Sequence, residues 1–483
     1  MAHCCKANYI MLKEVMKMKK LCFGVIVGNR DFFPDVLVDM GRKEILKTLE
    51  NLGYETVCLG PSETKFGAVE TFSDAKKCAN LFKENSHKID GLIVTLPNFG
   101  DEKAITQAIK MSELKVPVLI HAFADDPEKL DLLNRRDSFC GKISVCNNLK
   151  QSGIRFSLTT HHTEQIQSES FKNDLEWFAG VCRVVKALKK VRIGAIGARP
   201  GAFNTVRFSE KLLEQMNISV ETIDLSEVIF KVDEISDDND RVIEKIKTMK
   251  NIYHTQIVPD SALVSIAKLS VIIEEWISEN DLDATAIQCW TILEKKLHIT
   301  PCAVMSMMSE KLKPSACEVD VMGALSMYIL QSASGKPSAL VDWNNNYLEN
   351  EVMLFHCGNF PPSLYESVEI RYADVIGTTV GNQNAYGACA GKIKSGPFTF
   401  LRLSTEDING SVKGYVGEGE ILSQNPKTFG SRGIAKISNL DGLMNYICLE
   451  GFEHHVAINL SRIAKSIKEA LERYMDIKIY LHK

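Results

Sequence analysis

Three carboxylates stand in otherwise apolar, small-residue sequence, where they could bind a metal ion. Glu318 and Asp320 lie within residues 316–324, and Asp342 follows the apolar residues 339–341. Carboxylates are rarely buried in a core unless they are paired or bound to a cation. A divalent cation would satisfy these charges and would also act as a Lewis acid. For Glu318 and Asp320 the alternative is a pair of helix N-terminal charges, which the helix dipole favours.

Histidines in two other segments could complete such a site. His454 and His455 precede an apolar segment, and adjacent histidines can supply one metal ligand and one substrate contact. His356, within residues 355–359, is a candidate second ligand or substrate donor. A core histidine without a catalytic role is the alternative for each. Carboxylates mixed with imidazole suit Mn²⁺, Mg²⁺ or Co²⁺ better than a thiolate zinc site does.

Alternating strand and helix patterns indicate the elements that must position these residues. The apolar run 21–27 is typical of a buried parallel strand, a helical pattern follows at 34–52, and the same order restarts at Val191. This alternation favours parallel sheets, which bind ligands beyond the carboxyl ends of their strands. The loops that contain Arg30 and Arg199 are therefore candidate ligand-binding loops. Solvated loop arginines are the alternative.

The last part of the chain has a different character. After about residue 335 valine, threonine, glycine and tyrosine become more frequent and turns recur, which predicts a β-rich, barrel-like domain. The expected fold class is α/β, with two Rossmann-like parallel-sheet domains followed by this β-rich domain. The predicted segments are an N-terminal extension (1–20), a first α/β domain (21–175), a second (176–335) and a C-terminal domain (336–483) with a closing helix (459–475). A helix at 319–331 and a strand at 338–341 would return Asp342 to the neighbourhood of Glu318.

The composition is that of an ordinary globular protein. The chain has 483 residues, of which 45% are hydrophobic and 24% charged, with a net charge of −4; this length suggests about three domains. Without a basic tract, nucleic acid and anionic membranes are poor candidate partners. No apolar run reaches the ~18 residues of a membrane helix, and residues 1–20 do not resemble a signal peptide. The 14 cysteines lack disulfide-scaffold spacing, which predicts reduced thiols and a cytoplasmic location.

Four motifs resemble the L-fucose isomerase / L-arabinose isomerase family. They are CEVDV at 317–321, LVDWNN at 340–345, FHCGN at 355–359 and EHHVA at 453–457. Their order resembles fucose isomerase, as does the layout of the chain from about Leu21 onward. The resemblance implies a metal-dependent aldose–ketose isomerase that acts on an open-chain sugar through a cis-enediol, with Mn²⁺, Mg²⁺ or Co²⁺ as cofactor. It also implies a homo-oligomer, a trimer or hexamer, with sites at subunit interfaces.

The resemblance further assigns roles to individual residues. Glu318 and Asp342 would bind the metal and act as the acid/base pair, one removing the C2 proton and the other supplying a proton to C1. His455 would be the imidazole ligand. The substrate-binding residues would be Arg30, Gln288, Trp290, Asp320, Asn344, His356, Asn359 and His454. The motifs do not identify the sugar, because Asp342 resembles fucose isomerases whereas the paired histidines resemble arabinose isomerases.

Two other functions compete with this interpretation. The first is isomerisation of a modified sugar, sulfonated or phosphorylated, which basic residues near the pocket would favour; Arg30 and Arg199 are the candidates. The second is a non-catalytic sugar-binding protein, because tandem α/β units resemble periplasmic binding proteins. The three carboxylates argue against passive binding. Stoichiometric metal and aldose–ketose conversion would separate the isomerases from a binding protein.

Overall fold

The computed structural model describes residues 20–483, which form two compact units that divide between Lys186 and Ala187. The predicted N-terminal extension, residues 1–20, lies outside the described residues except for Lys20. Among the described residues, no helix combines the length and apolarity that crossing a membrane requires. The predicted boundaries at 175 and 335 stay predictions.

A five-stranded parallel sheet forms the centre of the first unit. Its strands are β1 (Cys22–Val27), β2 (Glu55–Val57), β3 (Ile89–Leu96), β4 (Val118–Ala122) and β5 (Ser157–Leu158). The helices are α1 (Asp35–Asn51), α2 (Phe72–Glu84), α3 (Glu102–Ser112), α4 (Ser138–Gln151) and α5 (Glu169–Ala187). The strand order is β2-β1-β3-β4-β5. Strands β1, β3 and β4 are buried along their whole length, which explains their nearly continuous apolar sequences.

The second unit begins with another parallel sheet, whose order is β7-β6-β8-β9. These strands are β6 (Val191–Ile196), β7 (Ile218–Ile223), β8 (Ala284–Ile287) and β9 (Ser315–Cys317). Its helices are α6 (Glu210–Glu214), α7 (Leu225–Glu234), α8 (Asp240–Ile252), α9 (Asp260–Glu279), α10 (Ile292–Leu297) and α11 (Cys302–Glu310). The prediction of two parallel α/β sheets is thereby confirmed.

A mixed nine-stranded sheet follows and confirms the predicted β-rich C-terminal part. Its strands are β10 (Ser338–Leu348), β11 (Glu351–His356), β12 (Glu369–Tyr372), β13 (Tyr386–Lys392), β14 (Gly396–Glu406), β15 (Ser411–Ile421), β16 (Ser431–Lys436), β17 (His455–Asn459) and β18 (Lys478–Leu481). The helices are α12 (Val321–Ser334), α13 (Asp374–Val380), α14 (Leu440–Glu450) and α15 (Ala464–Glu469). The order is β12-β13-β16-β11-β10-β17-β14-β15-β18, and an additional β15–β16 pairing closes the six strands from β16 to β15 into a ring.

The predicted closing helix is present at 464–474, but it begins later than expected and does not close the chain. Asn459 is the last residue of β17, and its side-chain amide donates to the carbonyls of Lys336 and Pro337, each at 2.9 Å. A π-helical turn (Ala470–Tyr474) continues α15, and β18 then follows and pairs in parallel with β15. The apolar residues on either side of Asn459 fit a helical period, but the first of them belong to a buried strand. Short apolar runs do not distinguish these two cases.

Candidate active site

Strand register brings Asp342 and His455 together. They are directly opposed in the antiparallel β10–β17 pair, which runs from Ser338 opposite Asn459 to Asp342 opposite His455. Opposed residues project from the same face of a sheet. The Nε2 atom of His455 accordingly lies 3.3 Å from Oδ1 of Asp342.

A tight turn between β9 and α12 supplies the third side chain. Glu318 and Val319 have φ angles of 60° and 56°, in the left-handed region that residues other than glycine seldom adopt. The turn is held by hydrogen bonds from the Val319 and Asp320 amides to the carbonyls of Ile287 and Cys317, at 3.3 and 2.9 Å. It places Oε2 of Glu318 3.4 Å from Nε2 of His455. Such strain, of order 1–3 kcal/mol per residue, is concentrated at functional sites.

The donor set at this point fits a divalent cation. The oxygens Oε2 of Glu318 and Oδ1 of Asp342 are buried, and neither has a hydrogen-bond partner within residues 20–483. Buried polar atoms without partners are costly. A cation between them and Nε2 of His455 would satisfy all three, and two carboxylates with one imidazole suit Mn²⁺, Mg²⁺ or Co²⁺. Both carboxylate oxygens thus lie within 3.4 Å of Nε2 of His455, and Glu318, His454 and His455 form a candidate three-ligand group.

Burial and mutual proximity shift the pKa values of the three groups. Burial raises the pKa of Glu318 to about 7, and it also raises the pKa of Asp342. Burial alone would lower the pKa of His455, but its hydrogen bond to Asp320 and the neighbouring carboxylates raise it to about 9. A carboxyl group whose pKa lies near neutrality can both accept and return a proton, as acid/base catalysis requires.

A buried network orients His455. Its Nδ1 atom lies 2.9 Å from Oδ2 of Asp320, whose two oxygens accept hydrogen bonds from the Arg402 guanidinium at 2.6 and 3.1 Å. Asp320 also caps α12, because its Oδ1 accepts from the Gly323 amide at 2.8 Å. A partner on one imidazole nitrogen fixes the tautomer and the ring orientation. Nε2 of His455 is thereby directed at Glu318 and Asp342.

Three members of this network, Arg402, Glu453 and Ser404, were not among the predicted site residues. Arg402 donates from Nε to Oε2 of Glu453 at 3.0 Å, and the Ser404 hydroxyl donates to Oε1 of Glu453 at 2.8 Å. The available signal was the lone cation at Arg402 in the mostly apolar segment 398–403. A buried charge at such a position requires a partner.

His356 and Asn359 differ in how they are engaged. His356 is held on both ring nitrogens, with Nε2 2.8 Å from Sγ of Cys317 and Nδ1 accepting from the Gly358 amide at 3.3 Å. Burial lowers the pKa of His356 to about 3, which keeps it neutral. The Asn359 side chain is buried, and neither its oxygen nor its nitrogen has a partner among the described residues. Its amide therefore retains unused hydrogen-bonding capacity.

Aromatic residues adjoin the cluster formed by Glu318, Asp342 and His455. The Phe203 ring lies 5.3 Å from that of Trp290 and 6.0 Å from that of His454. Nε2 of His454 is 3.7 Å from Oδ1 of Asp342, which connects this group to the cluster. Phe203, on the loop after β6, gave no signal in the sequence.

Gln288, at the end of β8, is engaged with backbone groups. Its side-chain oxygen accepts from the Ala198 amide at 2.8 Å, and its nitrogen donates to the Trp290 carbonyl at 3.0 Å. Gln288 thus ties the loop after β6 to the segment that carries Trp290.

Two predicted substrate residues lie outside these contacts. Arg30 belongs to the first unit, where its guanidinium is 2.9 Å from Oε2 of Glu102 and 4.6 Å from the Phe99 ring centroid. Asn344 is exposed on β10. Their contacts with a substrate stay predictions.

Comparison with known proteins identifies the family. Residues 24–189 match the family model described as "Fucose/sulfoquinovose isomerase, N-terminal domain", and residues 354–482 match "L-fucose isomerase, C-terminal domain". Proteins named sulfoquinovose isomerase from Priestia aryabhattai and Priestia megaterium are each 25% identical over 469 residues, which is 95% of this chain and 98% of theirs. One of the same name from Alkalicoccus urumqiensis is 25% identical over 389 residues, 79% of this chain and 83% of its own. The resemblance seen in the motifs is confirmed: the chain belongs to the fucose isomerase-like family, whose members are aldose–ketose isomerases.

Proposed function

We propose that this protein is a metal-dependent isomerase that converts an open-chain aldose to a ketose through a cis-enediol. One observation carries the proposal: two buried carboxylate oxygens, of Glu318 and Asp342, lack hydrogen-bond partners among residues 20–483 and converge on Nε2 of His455. Isomerisation at adjacent carbons needs a polarised carbonyl and groups that move one proton from C2 to C1. This cluster offers a place for the first and candidates for the second.

The residues divide the chemistry as follows. A cation held by Glu318, Asp342 and His455 would polarise the carbonyl and hydroxyl oxygens at C1 and C2. One carboxylate removes the C2 proton, and the other returns a proton to C1 while the hydroxyl proton passes from O2 to O1. Each such step contributes ~10²–10⁴-fold to the rate. Asp320 and Arg402 hold His455 in place.

The proposed substrate is a sulfonated aldose. The relatives that cover nearly the whole chain are named for sulfoquinovose, a sulfonated hexose. A neutral deoxyaldose such as L-fucose is the second candidate, because residues 354–482 match the L-fucose isomerase model. A non-catalytic sugar-binding role would not explain why the buried oxygens of Glu318 and Asp342 lack partners among the described residues.

The proposal extends to the metal, the assembly and the compartment. Mn²⁺ is the proposed cation, since it accepts this mixture of oxygen and nitrogen ligands. A trimer or hexamer with sites at subunit interfaces is supported by exposed apolar side chains of the first unit, which include Phe32 (98% exposed) and Leu132 (89%). A cytoplasmic location is supported by the unpaired state of every described cysteine.

A substrate panel tests the function. Protein stripped of metal and reloaded with Mn²⁺ is incubated with sulfoquinovose, L-fucose, L-arabinose and a hexose 6-phosphate, and ketose formation is followed by NMR spectroscopy. We expect conversion of at least one aldose that requires both the metal and Glu318. Stoichiometric metal binding without conversion of any aldose would refute the isomerase proposal.

A further inference from the structure

The loop after β6 has an unusual charge. Residues 197–209 contain Arg199 and Arg207 but no aspartate or glutamate, although the whole chain has more acidic than basic residues, 61 against 57. A segment with two cations and no acid attracts anions. Arg199 also lies just beyond the carboxyl end of the parallel strand β6, where such sheets bind ligands.

This loop is fastened to the candidate active site at two points. Near its start, Gly197 lies so close to Gln288 that a Cβ atom would be 2.5 Å from Oε1, and the next amide, of Ala198, donates to that oxygen. Further along, Phe203 contacts the rings of Trp290 and His454. Arg199 lies in the few residues between these two points. Its backbone is therefore held at the edge of the site.

The Arg199 side chain has donors to spare. Nη1 donates to the Pro200 carbonyl at 3.1 Å, and no carboxylate in the described chain pairs with the guanidinium. A guanidinium carries five N–H donors. Arg402, by contrast, is paired with both Asp320 and Glu453. Arg199 is also partly buried, which strengthens the attraction for an incoming anion.

We propose that Arg199 is a specificity-determining residue that binds the anionic substituent of the sugar, a tetrahedral oxyanion borne at the end remote from the reacting carbons. The planar fork of a guanidinium matches two oxygens of a sulfonate or phosphate group. The aldehyde end of the open chain would then face Glu318, Asp342 and His455. This inference rests on the proposed isomerase function and deepens it by assigning the residue that selects the substrate.

The alternative is that Arg199 only stabilises the loop through its bond to Pro200. In that case its replacement would disturb Phe203 and Trp290 and would affect charged and neutral sugars alike. Arg207 provides the matched control, because it is exposed, lies on the same loop and likewise has no carboxylate partner among the described residues. A general effect of loop charge would appear equally in both arginine variants.

The kinetic test compares Arg199→Gln, Arg199→Lys and Arg207→Gln on sulfoquinovose, glucose 6-phosphate and the neutral 6-deoxyglucose. We expect Arg199→Gln to raise KM for the anionic aldose by about 10- to 100-fold, as for loss of a charged bidentate contact. It should leave kcat nearly unchanged and leave the neutral sugar unaffected. Arg199→Lys should recover part of the loss, and Arg207→Gln should change KM less than about threefold.

A binding test removes the dependence on turnover. Sulfoquinovose is titrated calorimetrically into the Glu318→Gln variant, with and without Arg199→Gln. The second substitution should lower the affinity by the same 10- to 100-fold. If Arg199→Gln weakens the binding of glucose 6-phosphate but not of sulfoquinovose, the oxyanion site is supported and its substituent is phosphate. Equal losses for neutral and anionic sugars, or no loss, would overturn the inference. Turnover of neutral aldoses alone would also overturn it but leave the isomerase function intact, whereas a metal-loaded protein that converts no aldose would refute the function itself.

Discussion

Arg402 and Asp320 form an ion pair in which neither side chain reaches solvent, with Nη1 2.6 Å from Oδ2. Glu453 binds the same guanidinium from another side, at 2.9 Å. Asp320 alone of the two acids contacts His455. Breaking a buried pair by removing one partner costs ~3–5 kcal/mol, so both acids stabilise the fold. Only Asp320 can also control the imidazole.

This difference yields a matched pair of variants. Asp320→Asn should weaken Mn²⁺ binding by about 10- to 100-fold, as loss of an outer partner of a metal-ligating histidine does. Glu453→Gln should lower the free energy of unfolding by the ~3–5 kcal/mol that breaking a buried pair costs. It should leave the metal affinity nearly intact. Metal titration calorimetry and urea unfolding measure the two quantities. Equal metal affinities for Asp320→Asn and the parent protein would show that Asp320 does not orient His455.

The acid/base pair is tested by removing its charges without changing its shape. Glu318→Gln and Asp342→Asn should each lower kcat by at least ~10²-fold, because each deletes a proton-transfer group. Rates of ketose formation at saturating Mn²⁺ provide the measurement, and circular dichroism shows whether the fold is retained. Near-normal rates in either variant would remove that residue from the mechanism.

Metal removal should destabilise the folded protein. A ligand at 100 times its Kd stabilises the native state by about 2.7 kcal/mol, so chelation should lower Tm and added Mn²⁺ should restore it. The increment should be smaller in Asp342→Asn than in the parent, because one ligand is lost. Differential scanning calorimetry with and without a chelator makes the comparison. A Tm that does not respond to either treatment would contradict the assigned metal site.

Glu294 predicts a pH dependence of stability outside the active site. It is fully buried, neither carboxyl oxygen has a partner within residues 20–483, and burial raises its pKa from 4.5 to about 7. Because the folded-state pKa exceeds the unfolded one, its stabilising contribution is present below about pH 4.5 and is lost as pH rises through about 7. The loss is on the order of 3 kcal/mol.

Urea unfolding at pH 5 and pH 8 checks this expectation. Glu294→Gln carries no titrating proton at the same position and should lose less stability between the two pH values than the parent protein. Replacement of an exposed acid such as Glu210 should leave the difference unchanged. The same pH response in the parent and in Glu294→Gln would exclude Glu294 as its source.

The sequence predicted the features that depend on neighbouring residues. Parallel strands were recognisable from apolar runs such as 22–27, and the carboxylates near α12 stood out against their apolar surroundings. Arg402 and Phe203 were not predicted, because their meaning depends on contacts with residues far along the chain; Arg402 and Asp320 are 82 positions apart. The start of the helix predicted at 459–475 was wrong for the opposite reason, since a local period was followed at Asn459, where strand pairing decides.

The β10–β17 register gives the adjacent residues His454 and His455 different roles. Successive side chains on a strand point to opposite faces, so a slip of one residue would remove His455 from its place opposite Asp342 and leave His454 or Val456 there. Neither of these could keep the bond to Asp320 that His455 makes. An insertion or deletion within residues 456–459 would therefore disconnect the cluster even though every one of its residues remained in the chain. The pairing register of β10 and β17 is therefore as necessary for this site as the identity of its ligands.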